Sequence, residues 1–185
     1  MATLDYHITS YHHAHLGAVT SIYAHHVLHG RGSFEEVPPS EEEMAERFAT
    51  LAAQDYPILI AFNEQGDLLG YAYAGPHKLR SAYRFTVEDS IYVAPDALGK
   101  GIGKALLTAL ISQCEEASFQ QMLAVIGDSE NAASIGLHAS CGFVHFGTAT
   151  KVGFKFGQWL DVVYMQRELR PASSSALSSA FSTSA

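Results

Sequence analysis

Three groups of residues in this chain have types and spacings suited to chemistry. Gly99, Gly101 and Gly103 alternate within Leu98-Gly99-Lys100-Gly101-Ile102-Gly103-Lys104, after a strand-like segment ending at Val93 and before an amphipathic one. Glycines so spaced let the backbone curl until successive N–H groups converge on one point. A helix that starts there adds the positive end of its dipole, giving an anion site, most often for phosphate. The glycines alone suit a flexible strand-to-helix connector equally well. Next, Glu88 and Asp89 stand side by side in a segment of β-formers, Arg84 to Val93. Strand alternation sends them to opposite faces, so they cannot share a proton. An inward-facing acid has its pKa raised toward that of a useful base, whereas an exposed one is only an edge-strand carboxylate. Finally, Asn131, Ser134 and His138 follow at three- and four-residue steps, along one face of a helix. His138 titrates near neutrality and can give a proton to a leaving thiolate, or can simply pack.

Several chemistries are excluded. A P-loop requires glycine where Leu98 stands and a hydroxyl where Ala105 stands. A dinucleotide fingerprint requires glycine where Leu106 stands. What remains is a pyrophosphate cradle without a metal. His25 and His29 have the i, i+4 spacing of metal ligands, but no third ligand pattern and no HExxH accompany them. No GxSxG elbow surrounds a serine, and Cys141 reads as a buried structural thiol.

The positioning elements follow from periodicity and punctuation. Strands are expected near 4–9, 56–62, 68–74, 84–93, 122–126, 143–150 and 157–168. Helices are expected over 14–29, from a Ser40 cap onward, from the glycine turn to about Ser118, and over 131–140. Residues 1–170 read as one domain and the Ser/Ala-rich 171–185 as a disordered tail. The 185 residues can bury a substantial core, and a net charge of −8 argues against a nucleic-acid partner. Two cysteines without CxxC spacing, no leader-like start and no long apolar run fit a cytoplasmic protein away from membranes.

Val93-Ala94-Pro95 with Gly99 to Lys104 resembles the acetyl-CoA motif of the GNAT N-acetyltransferases. Asn131, Ser134, Leu137-His138 and Gly142-Phe143 resemble that superfamily's second cofactor segment. Gly75-Pro76, Ala82-Tyr83-Arg84-Phe85-Thr86-Val87-Glu88, Ala124-Val125-Ile126-Gly127 and Gly157-Gln158-Trp159-Leu160-Asp161-Val162 resemble the phosphinothricin and methionine sulfoximine acetyltransferases more narrowly. The resemblance covers roughly residues 4 to 170. It implies a mixed α/β fold, the GNAT acyl-CoA N-acyltransferase fold, with seven strands splayed as a V between the fourth and fifth, usually as a homodimer. It implies acetyl-CoA as cosubstrate and no metal. Pantetheine would lie along Ile91, Tyr92 and Val93, and the pyrophosphate on the amides of Gly99, Lys100, Gly101, Ile102, Gly103 and Lys104. Asn131 and Ser134 would touch the cofactor, and Glu88 would be the general base. His138 stands where the superfamily usually has a tyrosine proton donor, and Leu98 where it prefers Gln or Arg. The acceptor would be an amino acid with a phosphinate, sulfoximine or sulfone side chain. Arg80 is the candidate for its carboxylate, Lys78 and Arg84 are reserves, and Phe34 and Phe85 could wall the pocket. Residues around Lys155 could reach a neighbouring subunit's site. Two other readings are an acetyltransferase for a different amine (a polyamine, an antibiotic or a protein terminus) and a non-catalytic acetyl-CoA-binding module.

Overall fold

A computed structural model describes residues 5–169, so the Ser/Ala-rich end from 171 lies outside the described residues. Seven strands form one sheet, β1 (Tyr6–Ser10), β2 (Ile58–Asn63), β3 (Leu68–Pro76), β4 (Thr86–Val93), β5 (Gln121–Gly127), β6 (Val144–Lys155) and β7 (Gln158–Glu168), in the order β1-β2-β3-β4-β5-β7-β6. Four helices, α1 (Leu16–His29), α2 (Glu41–Ala52), α3 (Ile102–Glu116) and α4 (Ala132–Ser140), complete the fold.

Local chemistry explains the boundaries. Ser40 Oγ accepts from the Glu43 amide at 3.1 Å, and Glu41, Glu42 and Glu43 place negative charge on the positive end of α2. Between β2 and β3, Asn63 Oδ1 accepts from the amides of Gln65 and Asp67, and Gly66 takes the left-handed φ of 87° that the turn requires. α3 buries Ile102, Leu106, Leu107, Leu110, Ile111 and Cys114, the stripe that fixes it to the sheet. Two expectations shift. The strand expected from Arg84 begins at Thr86, because residues 81–83 form a 3₁₀ turn closed by the Arg84 amide on Ser81. The strand expected to end near 150 continues to Lys155. It passes an irregularity at Lys151, whose φ is 55° and whose amide donates to Asp161 Oδ1 at 2.8 Å.

The sheet's decisive feature lies at its centre. β4 and β5 run parallel but pair only through Thr86–Gln121, Val87–Met122 and Glu88–Leu123, then diverge. β3 stays paired to β4 along its length, from Pro76–Val87 to Gly70–Val93. The Ala94 amide donates to Leu69 and the His77 amide to Thr86, which sets the hydrogen-bonding phase of this ladder. Even-numbered β4 residues therefore direct their backbone groups to β3, and Ile91 and Val93 direct theirs into the gap. Side chains alternate too. Tyr92 packs against Tyr23 and His26 of α1, whereas Val93 approaches Gly103 of α3 and Asp89 reaches His138 of α4.

Candidate active site

The gap between β4 and β5 opens into a cleft of about 700 Å³. Its walls are the free edge of β4, the facing edge of β5, the turn into α3, the first turns of α4 and the Gly30–Ser33 loop after α1. That loop is tethered twice. Arg31 pairs with Asp128 at 3.1 Å, and Lys155 Nζ donates to the carbonyls of Gly30 and Ser33 at 2.9 and 2.7 Å. Lys155 is fully buried, and that burial pulls its pKa down against the raising effect of Glu36 and Glu35. Within its own chain, then, Lys155 turns inward to hold the cleft rather than outward.

The glycine run folds into the turn that the sequence suggests. Gly99 and Gly101 have φ of 72° and 85°, and Gly101 is the left-handed N-cap of α3, with no side-chain cap. The first intrahelical bond is donated by Ala105 to Gly101, so the amides of Ile102, Gly103 and Lys104 lack helical acceptors. Neither an acid in the first turn nor a cap side chain competes for them. These donors, the dipole and the cleft coincide, which is the arrangement a diphosphate needs. Gly99, Gly101, Ile102, Gly103 and Lys104 line the cleft. Ile102 contributes only backbone, its side chain being 1 % exposed in the core, and Lys100 is exposed outside the lining. A side chain on Gly103 would meet Leu137 at 3.4 Å and Val93 at 3.6 Å, narrowing the passage.

Along β4, Ile91 and Val93 offer backbone groups to the gap. The Val93 carbonyl is already taken by His26 Nε2 at 2.8 Å. Burial lowers the His26 pKa despite that carbonyl, so the ring is neutral with its proton on Nε2. Tyr92 also lines the cleft, but its backbone belongs to the β3 ladder and its ring to an aromatic layer with Tyr23 and Tyr71.

The adjacent carboxylates divide as alternation requires. Asp89 is the deeply buried one, with a side chain 2 % exposed, and its Oδ2 lies 2.9 Å from His138 Nε2. His138 Nδ1 is 2.7 Å from the Ser134 carbonyl. Both partners only accept, so both ring nitrogens donate and the ring is an imidazolium. Burial pulls its pKa down, but the Asp89 hydrogen bond and charge, helped by the Ser134 carbonyl, carry it above the usual value. Among the described residues, Asp89 Oδ1 is buried without a partner at the cleft wall. Glu88, on the opposite face, is 34 % exposed and accepts from His77 Nδ1 at 2.5 Å. It occupies the last β4–β5 rung before the sheet opens. Asn131 caps α4, its Oδ1 accepting from the Ser134 amide at 3.1 Å, which aligns Ser134 and His138 on the cleft side.

The expected acceptor residues do not converge. Phe34 lies flat over Gly127 and Gly153, where an added Cβ would stand 2.8 and 2.1 Å from its ring. Arg80 is exposed on the loop after β3 and, among the described residues, makes no ion pair. Phe85 lies beneath the Arg84 guanidinium, 4.5 Å from its ring centre, and its carbonyl joins the closed end of the V. Phe34, Arg80, Phe85 and Glu88 all lie outside the lining of the cleft. Asp89, which the sequence offers only as the neighbour of Glu88, and His77, which it does not mark, complete the picture. The doubled acid pointed toward Asp89, whereas nothing local marks His77. Cys114 is no nucleophile, since burial, with Asp89 and Glu115 nearby, pushes its thiol up to about 12.

An uncapped helix N-terminus, a split parallel pair and a carboxylate at the vertex define an acyl-CoA-dependent transferase fold. The Acetyltransferase (GNAT) family pattern matches residues 24–143, and the chain belongs to that family. It is 56 % identical over 154 residues to a phosphinothricin N-acetyltransferase of Alcaligenes faecalis, covering 83 % of this chain and 78 % of that one. It is 42 % identical over 161 residues to an L-methionine sulfoximine/L-methionine sulfone acetyltransferase of Pseudomonas aeruginosa, covering 87 % and 93 %. The crystal structure of a GNAT phosphinothricin acetyltransferase from Sinorhizobium meliloti in complex with AcCoA superposes with a TM-score of 0.87 at 45 % identity, over 94 % and 95 % of the two chains.

Proposed function

We propose that this chain transfers acetyl from acetyl-CoA to the α-amino group of a small amino acid such as phosphinothricin, methionine sulfoximine or methionine sulfone. One observation carries the reading. Glu88 closes the last rung of the β4–β5 ladder, where the gap begins, and stands next to Asp89 of the cleft wall with its own side chain on the opposite face of β4. Similarity to phosphinothricin and methionine sulfoximine acetyltransferases supports the acceptor class.

Bound acetyl-CoA supplies an acetyl thioester, its diphosphate on the amides between Gly99 and Lys104 and its arm along Ile91 and Val93. An α-ammonium has a pKa of about 7.7–8.0 and must lose a proton before its nitrogen is nucleophilic. Glu88 takes that proton, directly or through a water. The Ile91 and Val93 amides direct positive dipoles into the gap, where they polarise a carbonyl oxygen. His138, the buried cation of the cleft wall, offsets charge on a departing thiolate, and His138 or solvent returns the proton to sulfur. Asn131 and Ser134 hold the helix that carries it. The carboxylate of the acceptor is assigned to Arg80, whose exposed guanidinium is unpaired among the described residues, and Phe34 and Phe85 to the side-chain pocket. No cluster of three metal-ligating side chains occurs among the described residues, and the chemistry calls on none.

The functional unit is read as a homodimer. β6 is the sheet's edge strand, and the β6–β7 hairpin exposes Val144, Phe146, Val152, Phe154 and Trp159, each more than half accessible. The two cysteines are free and buried, which supports a reducing, cytoplasmic setting. The test is release of CoA thiol from acetyl-CoA with phosphinothricin, methionine sulfoximine, spermidine and an aminoglycoside as separate acceptors. Fast release with the first two alone supports the reading. Release only with the others, or thermal stabilisation by CoA without release, overturns it.

A further inference from the structure

We infer that His77 is a positioning residue for the base, fixing one oxygen of Glu88 so that the other faces the acceptor amine. The inference rests on the reading of Glu88 as general base. His77 stands where the chain leaves β3, and its amide still donates to the Thr86 carbonyl at 3.3 Å, which anchors it to β4. Its ring meets Tyr83 edge-on, with centroids 5.5 Å apart and planes at 75°, so packing selects the rotamer. Nδ1 lies 2.5 Å from Glu88 Oε1. A carboxylate can only accept, so Nδ1 carries the hydrogen. Oε2 has no hydrogen-bond partner among the described residues. A carboxylate 34 % exposed would otherwise sample several rotamers, and the His77 bond removes that freedom before the acceptor arrives.

The other titratable groups here are Tyr83, with Lys78 Nζ 5.1 Å above its ring, and Tyr73 of β3, close enough to feel the Glu88 charge. Leu123 of β5 and Leu51 of α2 are apolar, and α2 also brings Glu43, Glu46 and Arg47 to the pocket that Tyr73 and Pro76 line.

The experiment measures kcat and KM for phosphinothricin and acetyl-CoA in His77→Phe, His77→Asn and Glu88→Gln. Phenylalanine keeps the contact with Tyr83 but cannot donate, whereas asparagine places an N–H where Nδ1 stands and cannot titrate. We expect His77→Phe to lose about tenfold to hundredfold in kcat with KM for acetyl-CoA unchanged. His77→Asn should recover most of that loss, because its side-chain N–H can still fix Oε1. Wild-type turnover in His77→Phe, or equal loss in both variants, overturns the inference. If His77→Phe does not fold, His77→Leu, which likewise cannot donate, takes its place in the comparison with His77→Asn. Loss of turnover in Glu88→Gln with wild-type turnover in His77→Phe sinks only this inference, whereas wild-type turnover in Glu88→Gln sinks the base assignment itself.

Discussion

Glu88 and Asp89 are neighbours in sequence that meet different environments, because a strand turns consecutive side chains to opposite faces. Each carboxylate faces a histidine, Glu88 with His77 on a part-exposed face and Asp89 with His138 in the interior. The interior pair makes a prediction about stability. The folded-state pKa of His138 is raised, so its contribution is fully present below the unfolded value and fades as pH rises through the folded one. Asp89→Asn breaks a buried ion pair, and we expect a loss of about 3 kcal/mol at about pH 5.5. The gap from wild type should narrow toward about pH 9, which urea unfolding at both pH values measures. A gap independent of pH would show that the ring is neutral in the folded protein. At this scale the sequence was legible in part. Two adjacent acids and a helical Asn, Ser and His were visible as spacing, but which acid was buried depended on which face α4 covers, and that is tertiary information.

At the scale of elements, the strand, glycine turn and helix were legible because each has a local cause. β-Formers end at Val93, Gly99 and Gly101 take positive φ, and an apolar stripe begins at Ile102. The hairpin after Asn63 and the Ser40 cap were equally local. The split between β4 and β5 was not, since neither strand alone records where pairing stops, and only the resemblance supplied it. His77 escaped notice for the same reason, its partner lying eleven residues away across a strand pair. Elements also set the place of Phe34, which we propose as a wall of the acceptor pocket. Gly153 of β6 leaves room for the Phe34 ring, and a Cβ there would stand 2.1 Å from it. Gly153→Ala should therefore swing Phe34 aside and raise KM for phosphinothricin about tenfold, since a displaced pocket wall costs about 1–3 kcal/mol of discrimination. Acetyl-CoA affinity by titration calorimetry should not change. An unchanged acceptor KM would remove Phe34 from the pocket.

For the whole molecule, the V is the organising feature. It leaves half a sheet on each side, joined by three rungs, and the unpaired β4 edge beyond them is where we propose that the cofactor arm lies. The sheet's outer edge, β6, carries the exposed apolar hairpin that we read as the dimer surface. Replacing both Phe154 and Trp159 (rings 5.2 Å apart) with glutamate should convert a dimer to a monomer by light scattering, without unfolding it. A wild-type chain that is monomeric at micromolar concentration would contradict that assembly. The central claim is that a proton leaves the acceptor amine to Glu88 beside a bound thioester. Its most direct measurement is turnover of Glu88→Gln with phosphinothricin alongside its dissociation constant for acetyl-CoA. The account predicts a fall in kcat of about a hundredfold or more with acetyl-CoA bound as tightly as in the wild type. Wild-type kcat in the variant, or loss of acetyl-CoA binding in step with kcat, would contradict it.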